Sequence, residues 1–297
     1  MKIHTELKPS AWNIKDKLFT AKELAKLFNI DILKYQKHNE WLKNKDSESL
    51  RVCTYNVHFF KDRITDEDVT EDILSSMKMI NPDLLFMQEF PNNKKLITRI
   101  KKELDFNHYY FCIDPNEKIG NITFSKKKFD EKECIYLPKG NNKLGEPRMI
   151  NKTNGKWLQS PNIINSFNIH LEARDPKNNV RIKQINKVDS VVNTIHNQNE
   201  PVIIAGDFNA LPDYYNKDII NWIDRNTKHH NIEDSIDYTT STILKNNNFI
   251  DTTPNIPFTV WSGRRVDYIF VRGLKVIQSG PVYVYGSDHL PIVVDLI

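Results

Sequence analysis

The chain's 297 residues suffice for one large α/β domain or two small ones, with length enough to bury a core unaided by cross-links. A formal net charge of +4 excludes a histone-like polycation and leans only weakly toward a polyanionic partner. The cysteines, Cys53, Cys112 and Cys134, are odd in number and widely spaced, matching neither a zinc pattern nor a disulfide framework, which points to a reducing, intracellular setting.

The opening stretch MKIHTELKPSAWNIKDKLF lacks the apolar run of a signal peptide, and no apolar run elsewhere approaches the roughly 20 residues that span a bilayer. The expectation is a soluble monomer of the cytoplasm or nucleus. Residues 1–49 are charged and free of strand-like runs. Thr20 and Glu23 have capping-box spacing, Phe19 and Leu24 are placed for a hydrophobic staple, and Leu24, Leu27 and Phe28 share a face, so a helix starts near Ala21. This segment reads as a short helical extension.

From residue 50 to 297 short β-branched runs alternate with amphipathic ones. RVCTYNV is a strand; Val69, Ile73, Met77 and Ile80 mark a helix that Asn81-Pro82 stops; DLLFMQE is a second buried strand. Leu96, Ile97, Ile100 and Leu104 mark another helix, followed by the strand-like HYYFCID and NITFS. MINKTNGKWLQ carries Asn154-Gly155 between extended arms, a hairpin signal. IINSFNIHL is a strand, the stripe Ile182, Ile185, Val188, Val192 and Ile195 a helix, and VIIAGDFN, VDYIFVRG and LPIVVDLI complete the strands.

Several of these runs end in side chains able to bind metal or move protons. Asn56 follows VCTY, Glu89 follows LLFMQ, and His170 closes NSFNIH. Asp207 and Asn209 follow VIIAG, Asp267 opens DYIFV, and Asp288-His289 precede LPIVV. One such residue is an ordinary turn former. The set converges on one end of a sheet assembly, where α/β proteins place their sites. Carboxylates and carboxamides without thiolates favour a hard ion such as Mg²⁺ or Mn²⁺, and the two histidines suit phosphoryl oxygens. There is no GxxxxGK[ST] loop and no HExxH pair. The chemistry that uses every member is metal-assisted hydrolysis of a phosphate ester.

YNVH, LLFMQE, NIHLEA, GDFNALP, VDYIFV and SDHLPIVVDL, in this order, resemble the successive motifs of the endonuclease/exonuclease/phosphatase superfamily over residues 50–297. The resemblance implies a four-layer sandwich, two packed mixed β-sheets flanked by helices, with a site at one rim. It implies Glu89 as the main metal ligand, Asn56 beside it and Asp288 as a second ligand. Asp207 would orient or deprotonate the attacking water, and Asn209 would hydrogen-bond the phosphoryl group. His289 would contact a non-bridging oxygen, with Asp267 holding its ring, and His170 would protonate the leaving oxygen.

Where AP endonucleases and tyrosyl-DNA phosphodiesterases carry an aspartate two residues after the motif asparagine, this chain has His58. Three functions therefore stay open. One is a nuclease or nucleic-acid end-processing enzyme, supported by the basic side chains Lys126 to Lys128, Arg148, Arg181, Lys183, Arg264 and Arg265. Another is a phosphatase or phosphodiesterase for lipid headgroups or small molecules. The last is a non-catalytic binding module, whose mark would be a missing site residue; none is missing.

Overall fold

A computed structural model describes residue 26 and residues 39–63, 65–116, 118–139, 147–158, 162–173, 175, 179–195, 200–212 and 238–297. The helix expected near Ala21 lies outside the described residues.

The first sheet contains β1 (Leu50–Asn56), β2 (Leu84–Pro91), β3 (His108–Ile113) and β4 (Ile119–Ser125). The second contains β5 (Glu131–Tyr136), β6 (Met149–Gly155), β7 (Ile164–His170), β8 (Val202–Asp207), β9 (Ile250–Asp251) and β10 (Asp267–Arg272), after which β11 (Val276–Pro281) and β12 (Ile292–Leu296) return to the first. Strand order is β11-β12-β1-β2-β4-β3 in one sheet and β5-β6-β7-β8-β10-β9 in the other. Each sheet has a parallel pair at its centre, β1 with β2 and β7 with β8, among antiparallel neighbours. A parallel pair needs a crossover. Helix α1 (Thr70–Ile80) lies between the first pair in sequence and α3 (Asn179–Asn193) between the second, while α2 (Lys94–Glu103) follows β2 and α4 (Tyr238–Asn246) precedes β9. The architecture is the expected sandwich of two mixed sheets with helices outside.

Strand alternation divides the core into three parts. Side chains of odd-numbered β1 residues, Cys53 and Tyr55, join Ile73, Met77 and Ile100 under α1 and α2. On the second sheet Phe167, Ile169, Ile204 and Phe270 join Ile185, Val188 and Leu244 under α3 and α4. The opposite faces meet between the sheets, where Val52, Leu84 and Phe86 pack on Ile203, Ala205 and Ile269. Farther along, the inter-sheet space turns polar. Gln88 donates to Asn168 Oδ1 at 2.8 Å, Asn168 donates to the Ile122 carbonyl at 3.0 Å, and Asn151 donates to the Asn121 carbonyl at 2.8 Å. These amides are nearly or fully buried and satisfy one another, as buried polar groups must.

Two expectations are corrected. Asn154 and Gly155 do not form a turn; they are the last residues of β6, paired with Asn165 and Ile164, and the chain reverses only after them. Asn154 Nδ2 instead bonds Glu131, and its Oδ1 takes the Glu131 N–H, so the amide serves strand pairing. Cys112 and Cys134 form a disulfide with Cα atoms 5.4 Å apart, leaving Cys53 as the free, buried thiol. Spacing in sequence gives no hint of it, because sheet packing brings edge strand β3 of one sheet beside edge strand β5 of the other. With two of its three cysteines bonded, the chain carries no mark of a reducing compartment. Among the described residues no helix is long and apolar enough to cross a membrane.

The end of the N-terminal segment is built into this core. A 3-10 turn at Asn39–Asn44 buries Leu42 and sets Trp41 against the α1 side. The Leu42 carbonyl accepts from Arg51 Nη1 at 2.7 Å, and the buried Arg51 guanidinium forms a two-pronged ion pair with Asp295 at 2.7 Å.

Candidate active site

Alternation also carries the polar residues to the site. Asn56 continues the inward face of Leu50 and Val52, and Asp207 that of Ile203 and Ala205. In the ladders His170 pairs with Asp207 across β7 and β8, and Asp207 pairs with Asp267 across β8 and β10. His170, Asp207 and Asp267 therefore stand in one row over three adjacent strands.

Glu89 has the wrong parity, since Leu85 and Met87 face the helices. The β2–β4 register breaks between Met87 and Phe90, and Glu89 lies at φ 52 within the break. This bulge turns its carboxylate to the rim, a common use of bulges beside sites.

One amide joins the two sheets at the rim. Asn56 Nδ2 donates to Asp207 Oδ2 at 3.0 Å and to Glu89 Oε1 at 3.1 Å. Asp207 Oδ1 accepts the Asn209 N–H at 2.9 Å, while Asn209 Nδ2 donates to the Leu171 carbonyl at 3.0 Å. His289 Nδ1 lies 2.8 Å from Asp267 Oδ2, and its Nε2 lies 3.8 Å from Asp207 Oδ2. The loop before β10 locks this pair: Thr259 Oγ1 accepts the N–H groups of Val266 and Asp267, and the Thr259 carbonyl accepts that of Leu290. His170 Nε2 is 3.5 Å from Asp207 Oδ2 and 3.9 Å from Glu89 Oε1. Asp288 is half-buried, its Oδ1 accepting from Ser287 Oγ at 3.3 Å. All eight expected residues lie at this rim.

Burial and neighbouring charge separate the protonation behaviour of these groups. Burial raises the Asp207 carboxyl above its ordinary range, and the Asp267 charge adds to the rise. For His289 burial pulls the other way, yet the Asp267 charge and hydrogen bond prevail and hold the ring well above the usual histidine range. Burial together with the Arg148 guanidinium keeps His170 well below it. Glu89 is held below the ordinary range because the His58 hydrogen bond and the His170 and His58 charges outweigh its burial.

Two side chains noted in the sequence but not assigned to the site also stand here. Arg148 is buried, with Nη1 at 2.9 and 3.1 Å from the two ring nitrogens of His170. His58 Nδ1 stands 3.2 Å from Glu89 Oε2, and the His58 backbone N–H bonds Asn56 Oδ1. Asparagine followed two residues later by a titratable side chain was the available signal. Two of the other basic side chains named in the sequence are withdrawn from the surface. Arg181 is fully buried and donates to the carbonyls of Glu172 and Asp175, and Arg265 is buried on Asp251. Lys127 Nζ bonds the Trp157 carbonyl.

The backbone is strained here. Among the described residues nine non-glycine positions have positive φ, and five of them, His58, Phe59, Phe60, Glu89 and Asn209, are at this rim. Each such conformation costs an L-residue roughly 1–2 kcal/mol, and such strain concentrates at functional sites.

Asp207, Asp267 and His289 place donor atoms within 4.8 Å of one another, a buried cluster consistent with a divalent-metal site. Asp267 Oδ1 is buried without a hydrogen-bond partner. Three carboxylates, Glu89, Asp207 and Asp267, share this space, and an oxygen-rich, anionic set of that kind fits a hard cation. The cluster and the expected ligands Asn56 and Glu89 are two sides of one site, since Asn56 Nδ2 bonds both Glu89 and Asp207. On the Glu89 side both carboxylate oxygens have partners, Asn56 and His58, whereas Asp267 Oδ1 has none.

A model of the Endonuclease/Exonuclease/phosphatase family matches residues 53–289. No curated protein matches the chain. Among solved structures, the human Nocturnin catalytic domain with bound sulfate anion superposes with a TM-score of 0.64 at 19% identity, covering 86% of this chain and 97% of that one. An endonuclease/exonuclease/phosphatase from Beutenbergia cavernae gives 0.63 at 17%, covering 84% and 71%. A mannosyl-6-phosphatase from Bacteroides thetaiotaomicron gives 0.57 at 18%, covering 84% and 100%. At these identities the likeness is one of fold.

Proposed function

The chain belongs to the endonuclease/exonuclease/phosphatase family, and from that premise we propose that it is a Mg²⁺- or Mn²⁺-dependent phosphodiesterase of nucleic acid, a nuclease or an end-processing enzyme that includes 5′-tyrosyl-DNA ends among its substrates. The general chemistry, metal-dependent hydrolysis of phosphate esters, is that of the family. The observation that supports the catalytic reading most directly is the row of His170, Asp207 and Asp267, with His289 bonded to Asp267 and Asn56 bonded to Asp207.

Glu89, with Asn56 and Asp288, would hold the metal. When bound, the ion supplies positive charge against that building on the phosphoryl group. Asp207, with its affinity for protons raised by burial, takes the proton of the attacking water near neutral pH. Asn209 commits one amide proton to the Leu171 carbonyl and has the other for a phosphoryl oxygen. His289, kept cationic by Asp267, donates from Nε2 to a non-bridging oxygen. His170, kept neutral, donates a hydrogen bond from a ring N–H to the leaving oxygen, and the proton that completes that oxygen comes from solvent.

Purified protein should hydrolyse plasmid DNA, single-stranded DNA, RNA or a 5′-phosphotyrosyl oligonucleotide with Mg²⁺ present. EDTA should abolish the activity, and Mg²⁺ or Mn²⁺ should restore it. Full turnover in a metal-stripped sample would overturn the mechanism. A second reading, a phosphatase or phosphodiesterase of small molecules or lipid headgroups, draws support from the burial of Arg148, Arg181 and Arg265, which removes basic groups from the surface. Hydrolysis of inositol phosphates with no action on the nucleic acids would select it.

We assign residues 50–297 to the catalytic domain and residues 1–49 to an extension without catalytic groups. A chain beginning at Ser47 loses Trp41 and Leu42 from the core and one acceptor from the buried Arg51 guanidinium. It should lose about 2–5 kcal/mol of stability, the scale for emptying one large core position. A thermal midpoint equal to that of the full chain, with weaker and less salt-dependent nucleic-acid binding, would show instead that the extension carries phosphate contacts.

A further inference from the structure

We propose that Phe59 is the stacking platform for a nucleobase next to the scissile phosphate, and so a specificity-determining residue; the inference rests on the nucleic-acid reading above. Directly after Asn56 the chain makes a tight left-handed turn, with His58, Phe59 and Phe60 at φ 40, 57 and 62. It is closed by the Phe60 N–H to the Val57 carbonyl at 2.8 Å and the Lys61 N–H to the His58 carbonyl at 3.0 Å. Glycine would occupy such positions without strain, yet each carries a large ring.

Two of the rings have evident work in the fold. Phe60 is buried and meets Phe90 edge-on at 5.4 Å, anchoring the turn to the core. His58 reaches Glu89 through Nδ1. Phe59 has no such place: it is 36% exposed, and its ring meets His58 edge-on at 5.4 Å. The benzene ring therefore stands one imidazole away from the Glu89 carboxylate, at the mouth of the site. Tyr109 and Tyr136 are also exposed, but they sit on the edge strands β3 and β5, with Tyr109 under Lys101 and Tyr136 bonded to the Ile113 carbonyl.

A strained backbone holding a partly exposed apolar ring runs against stability twice over. Such an arrangement persists where the ring serves a ligand. The ligand moiety that suits a rigid aromatic face beside a phosphate is the base of a nucleotide, which stacks whatever its hydrogen-bonding edge. Arg63, exposed and 3.5 Å from His58 Nε2, puts a cation on the same side for the neighbouring backbone phosphate.

The test compares wild type with Phe59→Gly and Phe59→Trp on a single-stranded oligonucleotide and on the same oligonucleotide made abasic on both sides of the scissile phosphate. Phe59→Gly should melt no lower than wild type, because glycine relieves the strain. It should raise KM for the base-bearing strand about 10-fold, the scale of one lost stacking contact, with kcat little changed. Phe59→Trp should keep the wild-type KM. On the abasic strand the three proteins should have the same KM. Equal losses on both strands, or a lower melting temperature for Phe59→Gly with KM unchanged, would overturn the platform while leaving the nucleic-acid reading standing. The oligonucleotide is of the kind that wild type cleaves; failure of wild type to hydrolyse any of the nucleic acids named above would overturn that reading, and the platform with it.

Discussion

Asp207→Asn should lower kcat by at least ~10²-fold, and His289→Ala should do the same, the scale on which positioned acids and bases contribute to proton transfer. The substitutions remove different functions. Asparagine keeps the shape of Asp207 and one acceptor oxygen but has no affinity for the water's proton. Alanine at His289 removes the cation that Asp267 sustains. Stability should move by different amounts. Asp207 is buried beside Asp267, so removing one of two neighbouring carboxylates relieves repulsion and offsets the acceptor lost to Asn56 or Asn209, and Asp207→Asn should melt near the wild-type temperature. His289→Ala leaves the buried Asp267 carboxylate without its partner and should melt lower. Turnover and thermal unfolding on the same samples check both; wild-type kcat in folded Asp207→Asn would place the water elsewhere.

Gly206→Ala should cost about 3 kcal/mol or more, combining backbone strain with overpacking. Gly206 sits at φ 146 inside β8, and a Cβ there would lie 1.9 Å from the Ile169 carbonyl oxygen. That oxygen belongs to the paired strand β7, so it has no flexible end to swing aside. The two strands would have to part at the level that carries His170 and Asp207. Urea unfolding should show the loss, and the fraction that still folds should turn over more slowly. A wild-type midpoint would mean that β7 and β8 separate there at little cost.

Much of this was legible in the sequence. Hydrophobic periodicity located α1, α2 and α3, and the polar residues at strand ends gathered the rim, because a buried strand exposes side chains only where it leaves the core. Less could be read where tertiary contact decides. Glu89 has helix-facing parity, and only a bulge brings it to the rim. Strands β5 and β11 give little sequence signal, since half-exposed edge strands such as EKECIY carry charge on both faces. The Cys112–Cys134 bond depends on how two sheets meet. Arg181 and Arg265 look like surface charges in sequence, because composition does not reveal a carbonyl or carboxylate waiting inside.

The amide network beneath the rim bears on any attempt to move this site to another scaffold. Apolar faces such as Val52 on Ile203 tolerate small slides of one sheet over the other, whereas Gln88 on Asn168 accepts a single alignment, since a shift leaves buried donors unmet. Grafting Asn56, Glu89, Asp207, Asp267 and His289 alone would transfer the residues without the spacing between sheets. A graft that also carries Gln88, Asn121, Asn151 and Asn168 would bring its own alignment gauge, and the fidelity of the transplanted geometry should depend more on those four amides than on the loops around it.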